Sequence, residues 1–142
     1  GDGPDRVVIE RMIKDYHLQN TVKLMGYTDD IAAALSSLDL YVTINVGPNC
    51  GVGGLQAMWF QVPTVAIQVD ESYDTVSLHD VIPNSSDVNV LADHIIQIIQ
   101  HSDLQKKLVA QQYQHVVDYH SIDSYCQGTL DFYHVISQDA YI

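Results

Sequence analysis

Between Leu24 and Gln105 the chain contains no lysine and no arginine. Its six basic residues are Arg6, Arg11, Lys14 and Lys23 near the start and Lys106 and Lys107 farther on, against eighteen acidic residues, for a net charge of −12. Nucleic-acid recognition rests on clustered Lys and Arg, so this distribution excludes it. An anionic membrane surface is excluded on the same ground. An anion held in the central stretch would have to rely on backbone N–H groups and helix dipoles. Cysteine is scarce too: Cys50 and Cys126 lie far apart without CxxC spacing. That argues against a disulfide framework or a zinc site and makes a reducing, cytoplasmic setting the expectation. No apolar run approaches the roughly 20 residues needed to span a bilayer, and "GDGPDRVVIERM" has no secretory leader pattern. Neither membrane insertion nor a resident metal or cofactor is expected. The seven histidines are scattered, and the helical-face pair His94 and His101 reads as a solvated or half-buried face rather than a metal site.

What is present is a globular composition. With 142 residues, 46% of them hydrophobic, the chain suits a single domain with one sizeable core. Its opening on a glycine loop suggests a fragment of a longer chain. Pro4 suits the first position of a helix, and Val7, Val8, Ile9, Met12 and Ile13 give that helix an apolar stripe. "TVKLMGY" predicts a short strand over 22–25, closed by Gly26. Thr28 is the expected N-cap of "DDIAAALSSL", and Asp29 with Asp30 reads as helix-dipole complement rather than as an acid/base pair. "DLYVTINV" and "TVAIQV" predict two strands buried on both faces, as parallel strands are. "DESYDTVSLHDVIPNSSD" reads as a polar loop. Three helical patterns complete the chain, the second starting at Ser102–Asp103 and the third at Ser121 with Asp123. The tyrosines Tyr113, Tyr119, Tyr125 and Tyr133 on these helices read as core and rim.

Strands alternating with helices imply an α/β fold: a Rossmann-like parallel sheet with helices on both faces and an all-helical C-terminal segment. Such sheets bind ligands at the carboxyl ends of their strands. "GPNCGVGGLQAM", Gly47 to Met58, lies at that edge, as do the 69–80 loop and "GDGP". A glycine loop running into a helix can cradle phosphate. The same glycines can equally do no more than permit a tight strand-to-helix turn. Cys50 lacks a neighbouring histidine or basic group that would make it a nucleophile.

The order of "GDGP", "VKLMGYTDDI", "LSSLDLYVTI", "LQAM", "PTVAI" and "SSDVNVLADHI" resembles the C-terminal, nucleotide-sugar-binding domain of GT-B glycosyltransferases of group 1, over Gly1 to about Ile99. The resemblance implies retaining transfer of a hexose from a nucleoside diphosphate sugar, with the acceptor on a separate N-terminal domain of the same chain. It places the nucleotide sugar on Asn49, Gly51, Gly53 and Gly54, the ribose on Gln56, the base between Tyr27 and Thr28, and a further contact at Asp74. It implies no catalytic residue within this part of the chain. Several positions depart from the family pattern. The two family glutamates fall on Pro48 and Gln56, a Gly-Phe pair on Asn49 and Cys50, and a glycine on Gln61. A Gly-Gly pair that approaches the diphosphate falls on Asp70 and Glu71, and a glutamate on Asp74. Gln56 retains a hydrogen-bonding amide without the charge, and Pro48 offers neither an acceptor side chain nor an N–H. Two readings follow. One is the donor-binding half of a glycosyltransferase, inactive by itself. The other is a non-catalytic relative acting through protein partners, as glycosyltransferase-like components of bacterial accessory Sec export systems do.

Overall fold

The computed structural model of the chain describes residues 2–45, 51–68 and 84–139. They form two compact units, Gly1–Ala34 and Leu35–Ile142.

The first unit is built on helix α1 (Arg6–Asp15). Pro4 lies in the turn before α1 rather than in its first position. Asp2 organises the start. One carboxylate oxygen takes Arg6 Nη1 at 2.8 Å, and the other accepts from the Tyr27 N–H at 3.1 Å. Helix α1 ends in a Schellman motif: the His17 N–H reaches Lys14 O and the Leu18 N–H reaches Ile13 O, with His17 at φ +57°. The strand expected over 22–25 does not form. At its start the chain turns locally instead, with the N–H groups of Thr21 and Val22 both returning to Leu18 O at 2.9 and 2.8 Å. The cap of α2 (Ile31–Ser36) also differs from expectation. Asp30, not Thr28, accepts from the Ala33 N–H at 2.9 Å, while Thr28 Oγ1 accepts from the Asp30 N–H at 3.2 Å. Asp is as good a cap as Thr, and the position one residue before the helix decides.

The second unit holds the sheet. Strand β1 (Tyr41–Asn45) pairs in parallel with β2 (Thr64–Gln68), in register Tyr41 to Thr64 through Asn45 to Gln68. Between them runs α3 (Gly51–Trp59). A short third strand, β3 (Asn84–Ser85), pairs in parallel with the other side of β2 at Ala66 and Ile67. It falls inside the stretch expected to be loop, and two residues are too few to carry a strand signature. Helices α4 (Val88–Gln100), α5 (Ser102–His120) and α6 (Ile122–Asp139) follow, as the three helical patterns predict. Asp87 caps α4 by accepting from the Asn89 N–H at 2.8 Å, and Ser121 Oγ accepts from the Ser124 N–H at 3.2 Å before α6.

Successive residues of β2 point to opposite faces. Val65 packs with Leu91 and Ile98 of α4 and Leu108 of α5. Ala66 packs with Met58 of α3 and Val116 of α5. Helices therefore cover both faces of β2, which gives the expected α/β layering. Beside them Leu35, Ala57 and Val62 form a smaller cluster with Tyr41 against it. Burial on both faces holds for β2 but not for β1. Val42 and Ile44 share the face of Val65 and Ile67 yet stay 41% and 62% exposed. Helix α4 lies over β2, and β1 is one of the two outer strands among the described residues. Tyr119, Tyr125 and Tyr133, expected at core and rim, are exposed.

At the centre lies Gln112 of α5, fully buried. Its Oε1 accepts from the Thr64 N–H at 2.9 Å, and its Nε2 donates to Thr64 O at 2.7 Å. The Tyr41 N–H bonds to Pro63 O, so the Thr64 backbone groups face away from β1, on the side β3 joins two residues later. The side-chain amide of Gln112 thus stands in for a strand residue at the start of β2. Substituting Gln112→Leu strands two buried backbone groups, at about 1–3 kcal/mol each. A total loss of about 2–5 kcal/mol in urea unfolding is expected, and a loss below about 1 kcal/mol would contradict this role. In Gln112→Glu a protonated carboxyl can make both bonds and a carboxylate only one. Its deficit relative to the parent chain should therefore be smaller at acid than at alkaline pH.

Helix α5 also buries His115, whose ring lies 4.9 Å from Tyr119 and 5.4 Å from His120. Burial, then the nearby His120, lower its pKa below 6.5, with Asp118 opposing. The folded chain thus takes up this proton less readily than the unfolded one. Stability is unaffected above the unfolded value and declines as pH falls below it, until the lowered folded value is passed. Between pH 7.5 and 5.5, urea unfolding should show a smaller loss of stability in His115→Phe than in the parent chain. Identical losses in both would rule His115 out as a contributor.

Candidate functional site

The carboxyl end of β1 leads to α3 through 46–50. Pro48, Asn49 and Cys50 lie outside the described residues, as do Asp70, Glu71 and Asp74. What the structure defines is the helix that receives the loop. Three glycines in its first turn make α3 a poor helix by propensity. Tertiary burial stabilises it instead: Gly54, Ala57 and Met58 are buried. Gly51 opens the helix at φ +69°, a left-handed backbone that side chains disfavour. Gly53 lies against β1, where a Cβ would come within 2.6 Å of the Tyr41 hydroxyl. Gly53 thus lets α3 sit close on the strand that precedes it. Tyr41 has no signature in the sequence; its position at the first residue of β1 is what brings it under the helix.

The chemistry this helix offers is that of its backbone. From Gly51 to Trp59 there is no titratable side chain and no acidic residue in the first turn. A helix's first N–H groups lack intrahelical acceptors and carry the positive end of its dipole. The arrangement suits an anion and has no means of moving a proton. Gln56, one turn further on, is exposed. Gly51, Gly53, Gly54 and Gln56 are therefore gathered on one helix at the carboxyl edge of the sheet. Tyr27 and Thr28 belong to the first unit, where Tyr27 is 75% exposed and Thr28 serves the local turn before α2.

Elsewhere, Cys126 on α6 is a free, exposed thiol. Among the described residues no group of three or more His, Cys, Asp or Glu is placed to hold a metal ion. Among them, too, no helix is long and apolar enough to cross a membrane. Among the described residues the buried Nδ1 of His94 and Nε2 of His115 have no hydrogen-bond partner, and both lie on helices other than α3.

Comparison with known proteins places this geometry. Residues 1–101 match the family model for glycosyl transferases group 1. The chain is 26% identical over 110 residues to N-acetyl-alpha-D-glucosaminyl L-malate synthase of Bacillus anthracis, covering 76% of this chain and 29% of that protein. It is 22% identical over 136 residues to the poly(ribitol-phosphate) alpha-N-acetylglucosaminyltransferase of Staphylococcus aureus (strain COL), covering 94% of this chain and 28% of that one. The chain thus spans less than a third of the length of each relative. No solved structure matches it significantly. A parallel strand feeding a glycine-rich helix, with helices on both faces of the sheet, is what the C-terminal half of a GT-B fold requires, and the chain belongs to the group-1 glycosyl transferases.

Proposed function

We propose that this chain is the nucleotide-sugar-binding part of a retaining glycosyltransferase, acting with an N-terminal acceptor-binding domain of a longer chain. The observation that carries the reading is the amino end of α3, free of acidic side chains and set at the carboxyl edge of the β1–β2 pair. There the backbone around Gly51, Gly53 and Gly54 holds the diphosphate, with Asn49 and Asp74 contributing from the adjoining loops. Gln56 hydrogen-bonds the ribose, and Tyr27 and Thr28 flank the base. The names of both relatives specify N-acetylglucosaminyl transfer, which makes a nucleoside diphosphate N-acetylglucosamine the donor to test first.

A second reading keeps the fold and drops the chemistry: a non-catalytic component acting through protein partners, as in accessory Sec export. Pro48 and Gln56, standing where the family pattern has glutamates, favour it. So do Asp70 and Glu71, acidic residues standing where the family pattern has a Gly-Gly pair that approaches the diphosphate, in a stretch without Lys or Arg. Two like charges about 4 Å apart cost roughly 1 kcal/mol in water and more where partly buried.

Calorimetry separates the two. Uridine diphosphate N-acetylglucosamine should bind this chain no more tightly than the millimolar range, because a neutral Gln56 and a cation-free loop leave backbone donors to do the work. Micromolar affinity would overturn that expectation. Restoring charge with Pro48→Glu and Gln56→Glu should tighten a working donor site about tenfold, since a charge-assisted bond exceeds a neutral one by about 1–2 kcal/mol. No gain, with the fold intact by circular dichroism, would favour the non-catalytic reading.

A further inference from the structure

The opposite edge of the sheet holds a second candidate site. At the amino ends of β1 and β2, two grooves of about 420 and 280 Å³ share Gln61, Lys106 and Val109. Together they form one trench along α5, from Tyr113 and Gln114 at one end to Asp39 and Gln105 at the other.

Three features mark this trench. The first is Gln61, which both grooves share. It is the second residue after α3, in a second Schellman motif: its N–H reaches Met58 O at 3.0 Å and the Val62 N–H reaches Ala57 O at 2.9 Å. Its φ is +58°, a conformation that glycine adopts freely and a side chain disfavours. A glutamine standing in such a position, where the family pattern has a glycine, and on the wall of a groove, points to a use for its amide. The second is an aromatic shelf. Trp59 is 50% exposed and stacks at 5.7 Å and 42° on Tyr113, which lines the trench. The third is Lys106. With Lys107 it supplies the whole positive charge of the chain beyond Leu24, and it enters no ion pair among the described residues.

An aromatic face beside side-chain amides suits a sugar ring, whose C–H face packs on the aromatic while its hydroxyls bond to the amides. A lone cation in a strongly acidic protein adds preference for a negative group. The carboxylates nearby constrain where that group can lie. Asp39 lines the far groove, and Asp118 accepts from Gln114 Nε2 at 2.8 Å. The negative group therefore belongs beside Lys106, where the grooves meet. We propose that this trench is a binding site for an acidic saccharide chain, with Tyr113, backed by the tilted ring of Trp59, as its aromatic contact, Gln61 as its hydrogen-bonding wall and Lys106 as its charge contact. It lies at the opposite sheet edge from the amino end of α3, and the proposal does not rest on that end binding a donor.

Trp59 is the chain's sole tryptophan, so its fluorescence reads occupancy directly. Tetragalacturonate, an acidic pyranose oligomer, is the probe, and maltotetraose is the neutral control. Saturable quenching by tetragalacturonate is expected at millimolar concentration, about threefold or more tighter than by maltotetraose, the scale of one exposed ion pair. Lys106→Gln should remove that difference. Gln61→Gly relieves the left-handed strain and should raise the melting temperature by roughly 2–5 °C while weakening both ligands. Equal binding of both sugars, unaltered by Lys106→Gln, would overturn the charge contact and with it the acidic ligand. Undiminished binding in Gln61→Gly would remove Gln61 from the site. No response to either sugar at about 10 mM, a concentration that detects affinities down to roughly 3 kcal/mol, would overturn the site itself.

Discussion

The arrangement depends on the amide of Gln112 closed on the backbone of Thr64. Among the described residues, strand β2 is the one with partner strands on both sides, and helices pack on both its faces. Its first residue would otherwise bury an N–H and a C=O with no neighbour, because β3 joins only at Ala66. By supplying both partners from one side chain, α5 fixes where β2 begins and therefore its register against β1. The same helix holds α3 through Val116 on Met58 and Tyr113 on Trp59. The position of α3 over β1, and of its amino end at the sheet's carboxyl edge, thus follows from a contact made far along the chain.

The two edges of the sheet then differ in chemical character. At the carboxyl edge the first turn of α3 offers backbone and dipole, with the neutral amide of Gln56 one turn on, because Gly53 lies against the Tyr41 hydroxyl and Gly54 is buried. That edge can attract an anion but cannot grip it with charge. The amino edge is the reverse, with Lys106, three glutamines and Tyr113 lining its grooves. In a chain of net charge −12, where the few cations sit decides much about where an anion can rest.

Much of this was legible in the sequence. Hydrophobic runs marked β1 and β2, periodicity marked α4 to α6, and the glycine-rich stretch marked α3. The order of these pieces carried the family resemblance, because order survives when single residues drift. What was not legible depends on tertiary partners. The stretch 22–25 has strand-forming residues, but its neighbouring N–H groups are taken by Leu18, and strand propensity does not act without a partner strand. Val42 and Ile44 read as core because the pattern cannot tell a central strand from an outer one. Gln112 lies in "AQQYQH", where nothing separates a buried glutamine from its exposed neighbours. Gln61 looked like a simple loss of glycine, and only its φ shows that the left-handed turn was kept. The site itself is half legible: Gly51, Gly53, Gly54 and Gln56 fall together on α3, while Asn49 and Asp74 lie outside the described residues.

The central claim is that the amino end of α3 is where a donor phosphate would rest. Amide-resolved NMR of the ¹⁵N-labelled chain during titration with uridine diphosphate N-acetylglucosamine tests it most directly. The account predicts fast-exchange shifts concentrated at the amides of Gly51 to Gly54 and at the side-chain amide of Gln56, with little change at Gln61 and Gln114. Shifts that avoid α3 and gather at another surface would contradict it.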